Sequence, residues 1–192
     1  MILQLCNIIR FVENYAMQVD GTPIYERKYL MGTKAREIVG LDVDELIKRL
    51  NSALADEWLA VYQYWVGSKI ITGPAAEAVE AELVEHAEEE KEHADMLADR
   101  IVKLGGTPLI DPKMWFEETS CGYELPDNDY VKVLLEQNIE GERCAIQVYK
   151  DLMDFVQGKD PVTYHMLREI LEDEVDHEDE LQNLLENYQS LF

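Results

Sequence analysis

The sequence predicts an all-α fold, an antiparallel four-helix bundle with one long crossover between its second and third helices. Three observations carry that prediction. Four long, gap-free segments repeat apolar residues at i, i+3, i+4 and i+7, the period of a helix with one buried face. Of the six prolines, 74, 108, 112, 126 and 161 fall at the edges of these segments or between them, where a missing N–H is tolerated, and Pro23 precedes them all. The connections alternate short, long, short, so two antiparallel hairpins are joined by a single crossover.

Each element follows in order. The first helix is expected from about Asp42 to Ile71, with Asp42 or Asp44 as its N-cap. Thr72-Gly73 turns the chain into the second, from about Pro74, suited to a first helical position, to Leu104, where Gly105-Gly106 stops it. The following stretch, TPLIDPKMWFEETSCGYELPDN, is too long for a turn and too apolar for a flexible linker, so it reads as an ordered crossover along the bundle. The third helix is expected from about Asp127 or Asp129 to Val156, and the fourth from about Pro161 to Tyr188, after the turn Gly158-Lys159-Asp160. The bundle domain is placed at 41–192. Residues 1–40 lack a sustained period and read as an N-terminal extension, disordered or preceding the natural start, for which Met31 is the better position.

A chain of 192 residues has room for one ordinary domain. Its 40 Asp+Glu against 17 Lys+Arg give a net charge of −23, which repels nucleic-acid backbones and anionic membranes and makes cations the natural partners. The only basic cluster is the stretch Arg27-Lys28 to Lys34-Arg36. No apolar run approaches the ~20 residues of a membrane span. The opening MILQLCNIIRF lacks the basic region and cleavage site of a signal peptide. Three cysteines, Cys6, Cys121 and Cys144, are too few for a secreted disulfide framework, so a reducing cytoplasm is expected.

Two Glu-x-x-His motifs, Glu90–His93 and Glu174–His177, put a carboxylate and an imidazole on one helix face. Stepping by three and four through the second helix gives Val79, Leu83, His86, Glu90, His93, Leu97 and Ile101. The same walk through the fourth gives Leu167, Leu171, Glu174, His177, Leu181 and Leu184. Both motifs interrupt an apolar stripe, where an unpaired carboxylate costs several kcal/mol. The first helix repeats the anomaly with Leu50, Leu54, Glu57, Val61 and Tyr64, while its neighbour Asp56 falls on a polar, solvated face. In the third, Glu136, Glu140 and Glu142 compete. Glu142 shares the stripe of Leu135, Ile139, Ile146 and Tyr149 and is the inward one, with Glu140 as fallback. The spacing is 33 residues from Glu57 to Glu90 and 32 from Glu142 to Glu174, so the two hairpins carry matched sets at one depth. Four carboxylates and two neutral imidazoles balance two divalent cations, and oxygen with imidazole suits iron or manganese. His86 reads as a core histidine or a support for the ligands, and His165 as exposed. Tyr64 and Tyr149 lie on the ligand-bearing stripes, where they pack, hydrogen-bond ligands or quench radicals.

The segments LNSALADEWLAVYQYW, EEEKEHADMLADRIVKLGGTP, EGERCAIQVYKDL and ILEDEVDHEDEL resemble the ferritin-like superfamily over about residues 32–190. EGERCAI, with a cysteine two residues after the ligand-type glutamate, is similar to the Dps-like branch, also called thioferritins. The resemblance implies a cytoplasmic homo-oligomeric cage of twelve subunits that oxidises Fe²⁺ with hydrogen peroxide and stores ferric mineral. It implies two iron ions per subunit, bridged by Glu90 and Glu174, with Glu57 and Glu142 terminal and His93 and His177 completing each ion. It also implies a redox-active pair, Cys121 and Cys144. Bacterioferritins carry a haem-ligating Met where this chain has Lys91, so no haem is expected. Three cysteines cannot build a rubredoxin iron site, and the tail is too short for a fifth ferritin-type helix. The rival readings are a rubrerythrin-like peroxidase or manganese catalase that stores nothing, and a structural bundle with an incidental metal.

Overall fold

The four long amphipathic segments form helices within a few residues of their expected bounds. The computed structural model describes residues 33–192. Within them α1 covers Thr33–Glu37, α2 Val43–Ile70 and α3 Ala76–Lys103. A 3₁₀ turn at Pro112–Met114 runs into α4, Trp115–Glu118, followed by α5, Val131–Val156, and α6, Pro161–Gln189. There is no strand among the described residues, and none of these helices is long and apolar enough to cross a membrane. The expectation for residues 1–32 lies outside the described residues. Residues 36–40 dock on the bundle: Arg36 donates to the Leu104 carbonyl at 2.7 Å, the Gly40 N–H donates to that of Lys159 at 2.8 Å, and Val39 is buried.

Local chemistry sets the helix ends. Asp42 caps α2, accepting from the Asp44 and Glu45 N–H groups at 2.9 and 3.2 Å, while Asp44 pairs with Arg36. Asp160 caps α6 in the same way, with Pro161 at the first helical position. Two expected starts move. Pro74 stays in the turn, where Ala75 adopts the left-handed φ of 64°, and α3 begins at Ala76. Neither Asp127 nor Asp129 caps α5 through its side chain. Thr72 in the α2–α3 turn donates to the Asp129 carbonyl at 2.8 Å and accepts from the Val131 N–H at 2.9 Å, so backbone from the other hairpin supplies the cap. Gly73 in this turn, at φ 110°, also lies so close to Tyr130 that a Cβ would meet its ring at 2.7 Å.

α2 packs on α3 and α5 on α6. The apolar core falls into two clusters. One holds Leu46, Leu50, Leu97, Ile101, Leu167 and Ile170, and the other Tyr64, Leu83, Val131, Leu135, Ile139 and Leu181. On all four long helices the chain passes from one cluster to the other through a buried Glu: Glu57, Glu90, Glu142 and Glu174. The first cluster is pinned at its end by buried Arg100, which donates to Asp160 and Thr163 at 2.7 Å each.

The crossover is ordered. Trp115 stacks on Trp58 with ring centroids 5.5 Å apart, and Asn51 bonds the backbone of Thr107 and Leu109 at 3.1 and 2.9 Å. Asp56, expected in solvent, is instead half-buried beneath it. It accepts from the Thr119 hydroxyl and from the Ser120 and Cys121 N–H groups at 2.9 Å. Ser52, on the same helix face, likewise donates to the crossover, at the Glu118 carbonyl.

Candidate metal centre

Glu57, Glu90, His93, Glu142, Glu174 and His177 are all buried and meet in one layer between the apolar clusters. Glu140, the fallback, is exposed and pairs with Arg143, and Glu136 is exposed beside Lys132. His165 is exposed as expected.

The layer has two overlapping donor sets. Glu57, Glu90, His93 and Glu174 each offer one ligand atom within 4.8 Å of the others, and so do Glu90, Glu142, Glu174 and His177. Glu90 and Glu174 belong to both. His93 Nδ1 lies 3.0 Å from Glu90 Oε2, 3.2 Å from Glu174 Oε1 and 3.7 Å from Glu57 Oε2. His177 Nδ1 lies 3.3 Å from Glu90 Oε1, 3.7 Å from Glu174 Oε2 and 3.9 Å from Glu142 Oε2. Each shared glutamate thus turns one oxygen to each imidazole, while Glu57 and Glu142 face only one.

A supporting ring surrounds this set with the same two-fold pattern. Tyr149 on α5 donates to Glu57 on α2, and Tyr64 on α2 donates to Glu142 on α5. Both tyrosines therefore hydrogen-bond ligand-type carboxylates, one of the roles their stripe allowed. The outer nitrogens of the histidines are held as well: His93 Nε2 lies 3.2 Å from Asp173, and His177 Nε2 2.8 Å from Glu89. Glu89 and Asp173 were missed in the sequence, although each sits immediately before the glutamate of a Glu-x-x-His motif. Such partners fix ring orientation and strengthen the imidazole as a ligand.

The electrostatics are those of a site built around positive charge. Burial, then repulsion from neighbouring carboxylates, raises the Glu57 and Glu142 carboxyls well above their usual range. Burial opposes charge on His177, yet the Glu90 and Glu174 carboxylates, 3.3 and 3.7 Å from its Nδ1, overcome it and push the imidazole up to about 12. His93 is raised in the same way, against burial, by Glu174, Glu57 and Glu90. Glu90 is buried too, but the two histidines hold it below the ordinary carboxylate range. Four donor atoms of the layer, Glu57 Oε2, both Glu174 oxygens and His177 Nδ1, remain buried without a hydrogen-bond partner. Those orphaned atoms converge on the space between the donor sets, and their chemistry fits a pair of iron or manganese ions.

The ferritin-like domain family matches residues 47–191, a span that takes in all six of these residues. The chain belongs to the ferritin-like family. Among its relatives in that family is the "DNA protection during starvation protein" of Pyrococcus furiosus, 34% identical over 151 residues, covering 78% of this chain and 81% of that protein. A bacterioferritin of Brucella melitensis is 31% identical over 143 residues, 74% of this chain and 83% of the relative. The solved dodecameric thioferritin of Bacteroides fragilis, a bacterioferritin-related protein, is 45% identical with a TM-score of 0.78, covering 79% of this chain and 90% of its own. The likeness to Dps-like and bacterioferritin proteins together is the one the sequence motifs imply.

In this ferritin-like chain the crossover adds a further element. Cys121 and Cys144 form a disulfide with Cα atoms 5.8 Å apart, joining the crossover to α5. Cys121 lines a cavity of about 60 Å³ whose walls also include Asp56, Glu57, Glu90, Glu142 and Glu174. The third cysteine, Cys6, lies outside the described residues.

Proposed function

We propose that this protein is a cytoplasmic ferroxidase that takes Fe²⁺ as substrate, oxidises it with hydrogen peroxide within each subunit, and keeps the ferric product in a cage of its own copies. The observation that supports this most strongly is the paired donor set with its orphaned atoms. Four buried carboxylates and two imidazoles surround one space, and two of the carboxylates are shared.

Glu57 with His93 would hold one Fe²⁺ and Glu142 with His177 the other, while Glu90 and Glu174 contribute to both. Loading displaces the protons on His93 Nδ1 and His177 Nδ1, because a metal needs the free lone pair. The paired site has a redox reason. H₂O₂ + 2 Fe²⁺ + 2 H⁺ → 2 Fe³⁺ + 2 H₂O takes one electron from each ion, whereas a lone Fe²⁺ gives one electron and releases hydroxyl radical. The cavity beside the carboxylates exceeds the roughly 10–15 Å³ a single water requires, so it has room for a small oxidant. The disulfide at its wall is the oxidised state of a second peroxide sink. A Cys121–Cys144 dithiol and H₂O₂ give the disulfide and two waters.

The thioferritin of Bacteroides fragilis is dodecameric, and we extend that assembly to this chain. At −23 per copy, such a shell attracts Fe²⁺ and repels DNA, so we assign no DNA contact. The test is to load the protein anaerobically with excess Fe²⁺, add H₂O₂, and count ferric iron co-eluting with protein on a sizing column. Many irons per chain in a particle of about twelve subunits is the expected result. About two irons per chain, with peroxide still consumed while a reductant lasts, would replace storage with a rubrerythrin-like peroxidase, and the same result with manganese would indicate a catalase.

A further inference from the structure

A second cluster of ligand-type side chains lies on the α3–α6 face, outside the six residues above. His86 sits one turn before Glu90 on α3 and is 1% exposed. Its Nε2 lies 3.2 Å from Glu180 on α6 and 3.7 Å from Glu82 on α3, and the three offer ligand atoms within 4.8 Å of one another. Its ring stacks on that of His177 with centroids 4.1 Å apart, and its Nδ1 is buried without a partner. His86 also offers a ligand atom within 4.8 Å of ones from His177 and Glu142. The imidazole therefore stands between two outward carboxylates and the His177 end of the buried pair.

His86 also meets Tyr64 edge-to-face at 5.2 Å, but the two-fold pattern of the bundle does not call for a histidine there. The two-fold pattern that matches Glu90 to Glu174 matches His86 to Ile170, four residues before its own motif, and Ile170 is fully buried in an apolar cluster. The bundle thus accepts a hydrocarbon at this depth. No Lys or Arg offsets the carboxylates around His86, which have only the His177 imidazole as a cationic neighbour. No Lys or Arg occurs between Lys69 and Lys91 or after Arg168, and among the described residues none lies within ion-pair distance of Glu82 or Glu180. Glu85, Glu89 and Asp176 add further negative charge to the same surroundings.

We propose that Glu82, His86 and Glu180 form a third divalent-cation site, a loading station that passes Fe²⁺ to the His177 end of the buried pair. Two carboxylates and one imidazole suit the same borderline cations as the pair itself, and half-exposed Glu82 with exposed Glu180 leaves the station open to solvent. The station's existence is independent of the proposed ferroxidase activity. Its delivery role rests on that activity.

Co²⁺, which binds such ligands without being oxidised, separates the two. Anaerobic titration of the full chain in 0.15 M salt, followed by the visible bands of imidazole-ligated Co²⁺, is expected to give three ions per chain. The surface variant Glu82→Gln/Glu180→Gln should bind two, and Glu57→Ala/Glu142→Ala should keep the third while losing the pair. Three ions in the Glu82→Gln/Glu180→Gln protein, or two in the unmodified chain, would overturn the site. Loss of the third ion in that variant with none lost from Glu57→Ala/Glu142→Ala would sink the buried-pair reading and leave the new site standing. For delivery, the Glu82→Gln/Glu180→Gln variant should oxidise limiting Fe²⁺ about tenfold more slowly and saturating Fe²⁺ at the unmodified rate. Equal rates at limiting Fe²⁺ would overturn delivery.

Discussion

Outward from the shared glutamates, the centre's two ends begin alike. Glu57 with Tyr149 at one end answers Glu142 with Tyr64 at the other, and Asp173 holds His93 as Glu89 holds His177. Beyond that ring the match stops. The His93 end abuts the apolar cluster of Leu97, Leu167 and Ile170 and the His177 end that of Tyr64, Leu83 and Leu181, but only the His177 end also meets a further histidine, His86, with the carboxylates Glu82 and Glu180. The residues preceding the two terminal glutamates differ as well: Asp56 anchors the crossover, while its counterpart is Gly141. The halves agree where two equivalent cation positions are needed, and they diverge where one end carries this further histidine beside its carboxylates.

The largest effect should come from breaking the shared part. Glu174→Ala removes an oxygen from both donor sets, so peroxide-driven Fe²⁺ oxidation should fall by roughly 100-fold or more, since even outer partners of a metal site contribute about 10–100-fold. Glu57→Ala, which touches one set only, should leave one ion of the buried pair bound. A metal count and initial rate on each variant measure this. Equal loss of both ions from the two variants would end the distinction between shared and terminal ligands.

A smaller effect should sharpen the match between the ends. Asp173→Ala and Glu89→Ala each release the outer nitrogen of one histidine, and each should weaken metal binding about 10–100-fold at its own end alone. The two steps of the buried pair, isolated by titrating each variant with Co²⁺ in the Glu82→Gln/Glu180→Gln background, read this directly. If either variant weakens both steps equally, the ends are not independent.

These positions also mark how far the sequence could be read. The six inward residues were legible because a carboxylate or imidazole in an apolar stripe carries a large desolvation cost, so its presence demands an explanation. Glu89 and Asp173 were not, because in a chain with 40 acidic residues a half-exposed carboxylate looks like ordinary surface. Their signal is an acidic residue immediately before each Glu-x-x-His, and it gains meaning only once the motifs are known to face each other. Asp56 was misread because its partners, Thr119 to Cys121, lie more than sixty residues away, beyond any helical period. The start of α5 was misplaced for the same reason, its cap being Thr72 in the other hairpin.

The smallest effect concerns the buried ion pair at the far end of the His93-side cluster. Asp160 caps α6, accepts from Arg100 at 2.7 Å and is bonded by Thr163. Burial works against its charge, but Thr163 and Arg100 overcome that and hold the carboxyl below its usual value. A carboxyl with a depressed folded pKa contributes stability that is present above its unfolded pKa, about 3.9, and lost as pH falls through the folded value. The comparison with Asp160→Asn isolates this from the other carboxylates. At pH 7 the unmodified chain should exceed the variant by on the order of 1 kcal/mol in urea unfolding, and the gap should narrow as the pH falls below 4. Glu180, exposed and without a Lys or Arg partner among the described residues, has no such pin, so Glu180→Gln should shift the same unfolding curve by less than about 0.5 kcal/mol at either pH. A gap between the unmodified chain and Asp160→Asn that stays constant with pH would show that the contribution of Asp160 does not depend on its charge, and would remove the ion pair from the account of what holds that end of the bundle.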